Sequence, residues 1–263
     1  MTLTNHPAVR AALDASPRIV DHTHHVRVTS TNDVVREAVA AGQPPARLVT
    51  ADRQTAGRGR AGRSWTDDVD GPEGPGNLAV SLATVAPVRA VGLVPVAAGL
   101  AVASAYRDSR ATPELKWPND VLLGGAKAAG ILVERHQLAG RDIVIIGCGL
   151  DLDWRGVRRE QEMAAWTSLA EHLDAPVDRG AVLGALVAAL DRELDALDDP
   201  GTLLERYRQR CVTIGRQVRV DLPGGNRLTG RAVGIDAEGL LEVDTGRERV
   251  TVRAGDVALA GTS

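Results

Sequence analysis

The sequence changes character near Val212, and this change limits the folds open to the chain. Before it, apolar segments with strand and helix periods alternate. After it, short Val- and Leu-bearing segments alternate with turns, as at residues 223–226 and 236–239, and no helical period occurs. Short strands at close, regular spacing are typical of a small β-barrel. We therefore predict two domains, a large one over residues 1–212 and a small C-terminal β-barrel over residues 213–263.

The first part mixes strands with helices and predicts an α+β fold. Residues 143–146 form an unbroken apolar run, which is typical of a strand buried on both faces. Residues before Val26 look irregular. Strands are predicted at residues 25–29, 48–52, 77–85, 115–117, 121–123, 128–135 and 142–148. Helices are predicted at residues 33–41, 93–106, 167–172, 179–197 and 202–211. Ser30 and Asp33 resemble a capping box at the start of the first of these helices.

Charge and cysteine content exclude several classes of protein. The net charge of −3 argues against a protein held to nucleic acid by bulk electrostatics. No apolar run is long enough to cross a bilayer, and the N-terminus carries no signal-peptide pattern. Cys148 and Cys211 lie far apart, so we expect free thiols in the cytoplasm rather than a disulfide framework. The run of histidines at residues 22–25 favours an edge strand or linker over a metal site.

Residues 57–65 contain three arginines interleaved with glycines and end on a tryptophan. Glycine lets the backbone approach a ligand closely, and arginine offers a planar fork of donors for carboxylate or phosphate. The segment therefore predicts an anion-binding loop that becomes ordered when its ligand arrives. The alternatives are a solvated basic loop or one that contacts RNA.

Two further segments place charged groups at strand ends. Pro118 ends a strand within residues 116–120 and leaves a lysine, an amide and a carboxylate together. Such a set suits a phosphate, an adenine edge and Mg²⁺, although an ordinary turn explains it equally well. Lys127 enters a strand of small apolar residues, where it needs an anion unless it reaches water at the sheet edge. Gly130 and the Gly-Cys-Gly turn at residues 147–149 permit close approach of the backbone to a ligand.

The order and spacing of these segments resemble the biotin protein ligase family. The matching pieces are Ser30-Thr31-Asn32, Gln54 with the loop at 57–63, and residues 116–120, 127–134 and 147–151. The resemblance covers residues 28–155 by motif and the C-terminal part by architecture. It implies a class II synthetase-like catalytic domain, in which helices flank a mixed β-sheet. Asp151 departs from the family, which usually has asparagine at this position.

The resemblance also implies which residues form the site. Residues expected to bind biotin are Ser30, Thr31, Asn32, Gln54, Arg58, Gly59, Arg60, Lys127 and Gly130. Residues expected to bind ATP are Arg63, Trp65, Lys116, Asn119, Asp120, Gly149 and Asp151, with Asp120 also a ligand of Mg²⁺. Arg60 and Lys127 are the expected catalytic residues. The Ser30-Thr31-Asn32 cluster would serve as a helix N-cap at the same time.

The implied reaction has two steps. Biotin attacks the α-phosphorus of MgATP and gives biotinyl-adenylate, and a lysine of the biotin carboxyl carrier domain of an acyl-CoA carboxylase then releases AMP. Two alternatives stay open: a lipoate–protein ligase of the same fold, and a non-catalytic biotin-sensing module. Roughly 25 residues precede the first matching strand, fewer than the roughly 40 that a stable domain needs. We therefore expect a monofunctional ligase without a DNA-binding domain. A monomer and a homodimer are both open.

Overall fold

The structure, a computed structural model, describes residues 2–65, 70–72, 74–85, 90–138, 140–158, 163 and 165–259. Within these ranges the helices are α1 (Pro7–Ala15), α2 (Thr31–Ala40), α3 (Val94–Asp108), α4 (Arg179–Asp195) and α5 (Pro200–Arg208). The strands are β1 (Asp21–Val28), β2 (Arg47–Gln54), β3 (Asp70–Gly71), β4 (Gly74–Pro75), β5 (Asn77–Val85), β6 (Pro113–Lys116), β7 (Asp120–Leu123), β8 (Ala126–Leu138), β9 (Arg141–Asp151), β10 (Gln217–Asp221), β11 (Arg227–Ile235), β12 (Leu241–Asp244), β13 (Arg249–Val252) and β14 (Asp256–Leu259). None of the described helices is long and apolar enough to cross a membrane.

A seven-stranded mixed sheet organises the first part of the chain. Its strand order is β1-β2-β5-β9-β8-β7-β6. β1 pairs with β2 in parallel, and the other neighbours pair antiparallel. β1 therefore lies at the sheet edge, which confirms the edge-strand interpretation of the histidine-rich segment. The predicted mixed sheet flanked by helices is also confirmed.

The apolar run in β9 is explained by two covered faces. Ile143 and Ile145 pack with Val35 and Val39 of α2 on one face of the sheet. Val144 and Ile146 point to the opposite face and join the main core, to which α3 and α4 contribute. Because both faces are buried, neither set of alternating residues can be polar.

The prediction that residues before Val26 are irregular is wrong. The chain forms α1 there, and β1 begins at Asp21. A helix of nine residues is marginal in isolation, so its stability comes from packing against α4. A Cβ on Gly184 of α4 would lie 2.6 Å from the carbonyl oxygen of Ala8, which shows how closely the two backbones approach.

Two predictions of local helical structure need correction. Residues 167–172 form only a short 3-10 turn, Leu169–His172, which Ser168 and Glu171 close as a capping box. Ser30 occupies the N-cap position of α2, but its side chain makes no capping hydrogen bond. The expected capping box with Asp33 is absent because Arg58 and Arg36 engage that carboxylate.

The C-terminal part forms a five-stranded sheet with the order β13-β12-β11-β10-β14. Only residues 253–255 join the two edge strands, so the sheet must curl strongly. β13 and β14 nevertheless do not pair within the described residues, and the predicted barrel is therefore an open sheet. The indole Nε1 of Trp117 donates a hydrogen bond to the carbonyl oxygen of Gly239 at 2.9 Å, which ties this sheet to the larger one.

Candidate ligand-binding pocket

One pocket collects most of the side chains predicted to bind ligands. It lies where α2 begins, beside β2, β5, β8 and β9, and under the loop that follows β2. The predicted residues that line it are Ser30, Thr31, Asn32, Gln54, Arg58, Gly59, Arg60, Arg63, Trp65, Asn119, Lys127, Gly130 and Gly149. Residues that are distant in sequence therefore meet at one cavity.

Three predicted residues lie outside this lining. Asp120 is adjacent to it, because its Oδ1 lies 2.7 Å from Nζ of Lys127. Lys116 lies behind Asp120, with its Nζ 3.6 Å from Oδ2 of that carboxylate. Asp151 is completely buried and does not line the pocket. The predicted role of Asp151 at the ATP site stays a prediction.

Buried polar side chains form the end of the pocket at the start of α2. Thr31 and Asn32 are at most 4% exposed. The backbone N–H of Thr31 donates to Oε1 of Gln54 at 2.8 Å. Oγ of Ser81, a fully buried residue of β5, lies 2.7 Å from Oγ1 of Thr31 and 2.6 Å from Oδ1 of Asn32. Polar groups that are satisfied by one another in this way hold a rigid geometry.

The arginine–glycine loop, residues 57–65, contributes Arg58, Gly59, Arg60, Arg63 and Trp65 to the lining of the pocket. The N–H of Trp65 donates to the carbonyl oxygen of Gly57 at 2.9 Å, and the N–H of Gly59 donates to that of Arg63 at 2.7 Å. Ala61 and Gly62 adopt positive φ angles of 55° and 75°, which the tight turn requires. These hydrogen bonds and backbone angles define the path of the loop over the pocket.

The three arginines of this loop have different environments. Arg58 binds both carboxylate oxygens of Asp33, at 2.6 and 3.0 Å, and lies 3.4 Å from Glu134. Hydrogen bonding by Arg58 lowers the pKa of Asp33, and the same bond raises the pKa of Arg58. Burial lowers the pKa of Arg60, whose Nη1 lies 3.5 Å from Oδ1 of Asn119. Arg63 pairs at 2.7 Å with Asp256, which belongs to the C-terminal sheet.

Lys127 lies between two tryptophans. Its Nζ is 5.3 Å from the centroid of Trp65 and 5.0 Å from that of Trp166. Trp65 packs directly on the backbone of the sheet, because a Cβ on Gly130 or Gly149 would lie within 2.8 Å of its ring. The two indoles leave one side of the ammonium to Asp120 and orient it towards the pocket.

Sequence reasoning missed four residues that shape this pocket. Trp166 lines it directly, and Asp33, Ser81 and Glu134 hold the residues that do. Ser81 could have been found as the polar residue in the middle of an apolar strand. Glu134 was within the matching segment 127–134 but had no assigned role, because its distance from the loop arginines is a tertiary property.

The described residues place one buried thiol in the pocket and form no metal-binding cluster of their own. Cys148 lines the pocket, but burial raises its pKa to about 12, so it stays a neutral thiol and is not a nucleophile. Among the residues that the structure describes, no group of three or more His, Cys, Asp or Glu side chains could hold a metal ion. His22 and His24 instead contact Oγ1 of Thr50 at 2.9 and 3.0 Å.

Comparisons with known proteins agree with this geometry. Residues 24–151 match the biotin/lipoate A/B protein ligase family, and residues 213–259 match the biotin protein ligase C-terminal domain. A biotin–[acetyl-CoA-carboxylase] ligase of Mycobacterium tuberculosis is 37% identical over 87% of this chain and 85% of its own length. The Paracoccus denitrificans protein of the same description is 31% identical over 89% of this chain and 99% of its own. The biotin protein ligase of Aquifex aeolicus, solved with biotin and ATP, superposes with a TM-score of 0.74 at 24% identity, over 92% of this chain and 99% of that one.

Proposed function

The chain belongs to the biotin protein ligase family, and on this premise we propose that it attaches biotin to a lysine of an acyl-CoA carboxylase carrier domain, using MgATP. One observation carries the proposal: a single pocket joins a buried neutral polar end, at Thr31 and Asn32, to a cationic end, at Arg60 and Lys127. An uncharged ring that carries an acidic side chain fits this division. Adenylation needs the cations next to the acid.

The polar end would bind the fused ring of biotin through Ser30, Thr31, Asn32 and Gln54. Hydrogen bonds already hold Thr31, Asn32 and Gln54, so these side chains would lose little ordering entropy on binding. The carboxylate of biotin would then extend towards Lys127, where its oxygen attacks the α-phosphorus of ATP. Pyrophosphate leaves and biotinyl-adenylate remains in the pocket.

The cationic end would stabilise this first step by neutralising charge. Phosphoryl-type transition states depend on positioning and electrostatic stabilisation more than on covalent help. Lys127 and Arg60 are the catalytic residues in this proposal, and Arg63 would hold the outer phosphates. Arg58, Gly59 and Gly130 would complete the biotin side, and Trp65, Asn119 and Gly149 the nucleotide side. Closure of the loop would also exclude water, which hydrolyses an adenylate.

We propose that Mg²⁺ enters with the phosphates of ATP and that Asp120 is its protein ligand. A single carboxylate is compatible with this ion, which is commonly held by one or two carboxylates together with substrate phosphates. Asp120 is paired with Lys127 and Lys116 here, so these ammonium groups would shift towards phosphate or biotin carboxylate. The ion would supply charge neutralisation on the phosphates.

In the second step a lysine amine of the carrier domain attacks the acyl carbon of biotinyl-adenylate. The C–N bond of the amide forms, the bond to the phosphate oxygen breaks, and AMP leaves. The lysine must lose a proton before it attacks. The C-terminal sheet would help to hold ATP or the carrier domain, or serve only to stabilise the larger part.

Three further proposals complete the functional assignment. We propose a division at residues 212/213, which the match of residues 213–259 to a separate family domain supports. The net charge of −3 supports a ligase that does not bind DNA, and a salt-dependent gel shift tests this. Two buried, free cysteines support a cytoplasmic location.

The test of the proposed function is transfer to a carrier domain. The purified protein is incubated with MgATP, biotin and the isolated carrier domain of an acyl-CoA carboxylase, and the intact mass of the carrier is measured. We expect the mass of one biotinyl group, and no addition to a carrier whose acceptor lysine is arginine. Lipoate and octanoate are tested in parallel. The matched biotin ligase C-terminal domain favours biotin, and transfer of lipoate instead would overturn the proposal.

A further inference from the structure

The first arginine of the arginine–glycine loop is held by two carboxylates that belong to different elements. Nη1 and Nη2 of Arg58 donate to the two carboxylate oxygens of Asp33 in α2, at 2.6 and 3.0 Å. Its Nη2 also lies 3.4 Å from Oε1 of Glu134 in β8. A bidentate pair between arginine and carboxylate fixes the orientation of both groups. Arg58 therefore ties the loop to α2 and to β8 at the same time.

Arg58 lies at the base of the loop and not at its tip. It forms an antiparallel bridge with Ser64, and the N–H of Trp65 donates to the carbonyl oxygen of Gly57 beside it. These contacts join the two sides of the loop into a short hairpin, so a displacement of Arg58 also displaces Trp65. The turn that carries Arg60 continues from the same hairpin. The contacts of Arg58 therefore determine where two pocket-lining side chains lie.

The charges around Arg58 suit an anchor better than a cation that binds a ligand. Two carboxylates, those of Asp33 and Glu134, face its one guanidinium group. A bound anion next to Arg58 would therefore meet excess negative charge. Arg60 differs, because its Nη1 lies 3.5 Å from the neutral amide oxygen of Asn119. The positive charge of Arg58 is thus neutralised within the protein, whereas that of Arg60 remains for a ligand.

Asp33 has a second arginine partner, which allows two roles of its carboxylate to be separated. Arg36 lies one turn further along α2, and its Nη2 is 2.8 Å from Oδ1 of Asp33. Arg36 belongs to the helix and does not line the pocket. Loss of Arg36 would remove an ordinary ion pair within the helix, whereas loss of Arg58 would remove the tie between the helix and the loop.

We propose that Asp33 is a positioning residue that acts through Arg58 and holds the base of the loop, so that biotinyl-adenylate stays in the pocket until the carrier lysine attacks. The inference rests on the proposed function, in which the loop covers the adenylate. Asp33 does not line the pocket itself, so its effect on the adenylate passes through the loop. When this tie is lost, Trp65 and Arg60 move with the hairpin, and the adenylate escapes or meets water.

The test measures how long the protein keeps the adenylate when no carrier is present. The full chain is incubated with biotin, Mg²⁺ and ATP labelled at the α-phosphate, the complex is isolated by rapid gel filtration, and loss of label from the protein is followed. Asp33→Asn and Arg58→Gln should each lose the adenylate about tenfold faster than the unaltered chain, because each breaks the same charged hydrogen bonds. The double variant should be at most about twofold faster than either single one, since both changes remove one contact. Asp33→Glu keeps the carboxylate and should restore retention to within about threefold of the unaltered chain.

Arg36→Gln is the matched control, because it removes the other arginine partner of the same carboxylate. Its rate of loss should stay within about twofold of that of the unaltered chain. Fast loss in Arg58→Gln with unchanged loss in Asp33→Asn would make Arg58 a direct ligand contact and overturn the inference. Equal acceleration in Arg36→Gln would overturn it too, because Asp33 would then act on α2 alone. If the unaltered chain forms no adenylate, the proposed function fails as well. Thermal unfolding of each variant confirms that it is folded.

Discussion

The two ends of the pocket are built in different ways. Thr31 and Asn32 belong to α2, are at most 4% exposed, and take their partners from β2, β5 and β8. Arg63 belongs to the loop, is 55% exposed, and takes its partner Asp256 from the C-terminal sheet. In the proposed function the ring end is therefore preset, whereas Arg63 at the phosphate end would have to leave Asp256 when ATP binds. The proposed function thus assigns specificity to rigid elements and charge neutralisation to an exposed loop.

The largest effect expected at the phosphate end is that of Lys127→Ala. Removing an ammonium group oriented at the reacting acid should lower biotin-dependent exchange of pyrophosphate into ATP by about 100-fold or more. Lys116 also pairs with Asp120, but it does not line the pocket. Lys116→Ala should therefore lower the exchange rate by less than about tenfold. Equal losses would show that both lysines act only through Asp120.

A glycine substitution tests whether the sheet backbone presets the position of Trp65. A Cβ on Gly149 would lie 2.4 Å from the indole, so Gly149→Ala should displace Trp65 and lower the exchange rate by about tenfold. It should also lower the free energy of unfolding by about 1–3 kcal/mol, as measured in urea. Gly99→Ala is the control. A Cβ on Gly99 would lie 3.6 Å from the side chain of Leu115, which is an ordinary contact distance, so this variant should keep its stability. If the exchange rate and the free energy of unfolding are unchanged in Gly149→Ala, the backbone does not fix the position of Trp65.

As the pH falls, protonation of His22 in the edge strand β1 should lower the free energy of unfolding before the carboxylates that pair with arginine are protonated. Burial lowers the pKa of His22 from 6.5 to about 4. The unfolded chain therefore binds a proton first as the pH falls, and the free energy of unfolding should fall between pH 6.5 and about 4. The pKa of Asp33 is lowered by Arg58, so its contribution is lost only below its ordinary value of 3.8. The free energy of unfolding is measured in urea at several pH values for the full chain and for His22→Asn. Between pH 6.5 and about 4 it should fall more steeply with pH in the full chain, and equal pH dependence would contradict this assignment.

The smallest effect expected is that of releasing Arg63. Asp256→Asn removes a half-exposed partner, and such pairs contribute little to stability. The KM for ATP should fall by about twofold because Arg63 no longer has to leave a carboxylate, with the turnover number unchanged. Asp221→Asn, which removes an exposed pair with Arg227 in the same sheet, should leave KM as it is. A rise in KM would show that the pair holds the loop in its binding position.

The sequence predicted the pocket better than it predicted the network that supports it. Ser30, Gln54 and Lys127 could be identified because they lie in segments that resemble the motifs of the biotin protein ligase family. Ser81 and Glu134 could not, because their importance lies in short distances to residues far away in sequence. α1 was missed for a similar reason, since its stability comes from packing on α4. Strand spacing predicts a barrel for the C-terminal part, where the described strands form an open sheet, because spacing does not reveal whether the edge strands pair.

The most direct test of the central claim is biotin-dependent exchange of labelled pyrophosphate into ATP, with Mg²⁺ and with lipoate and octanoate as parallel acids. This reaction requires the ring end and the phosphate end to act on one molecule at the same time. We predict exchange with biotin, none with the other two acids, and its loss in Lys127→Ala. Exchange that depends on lipoate or octanoate, or none with any acid, would contradict the account.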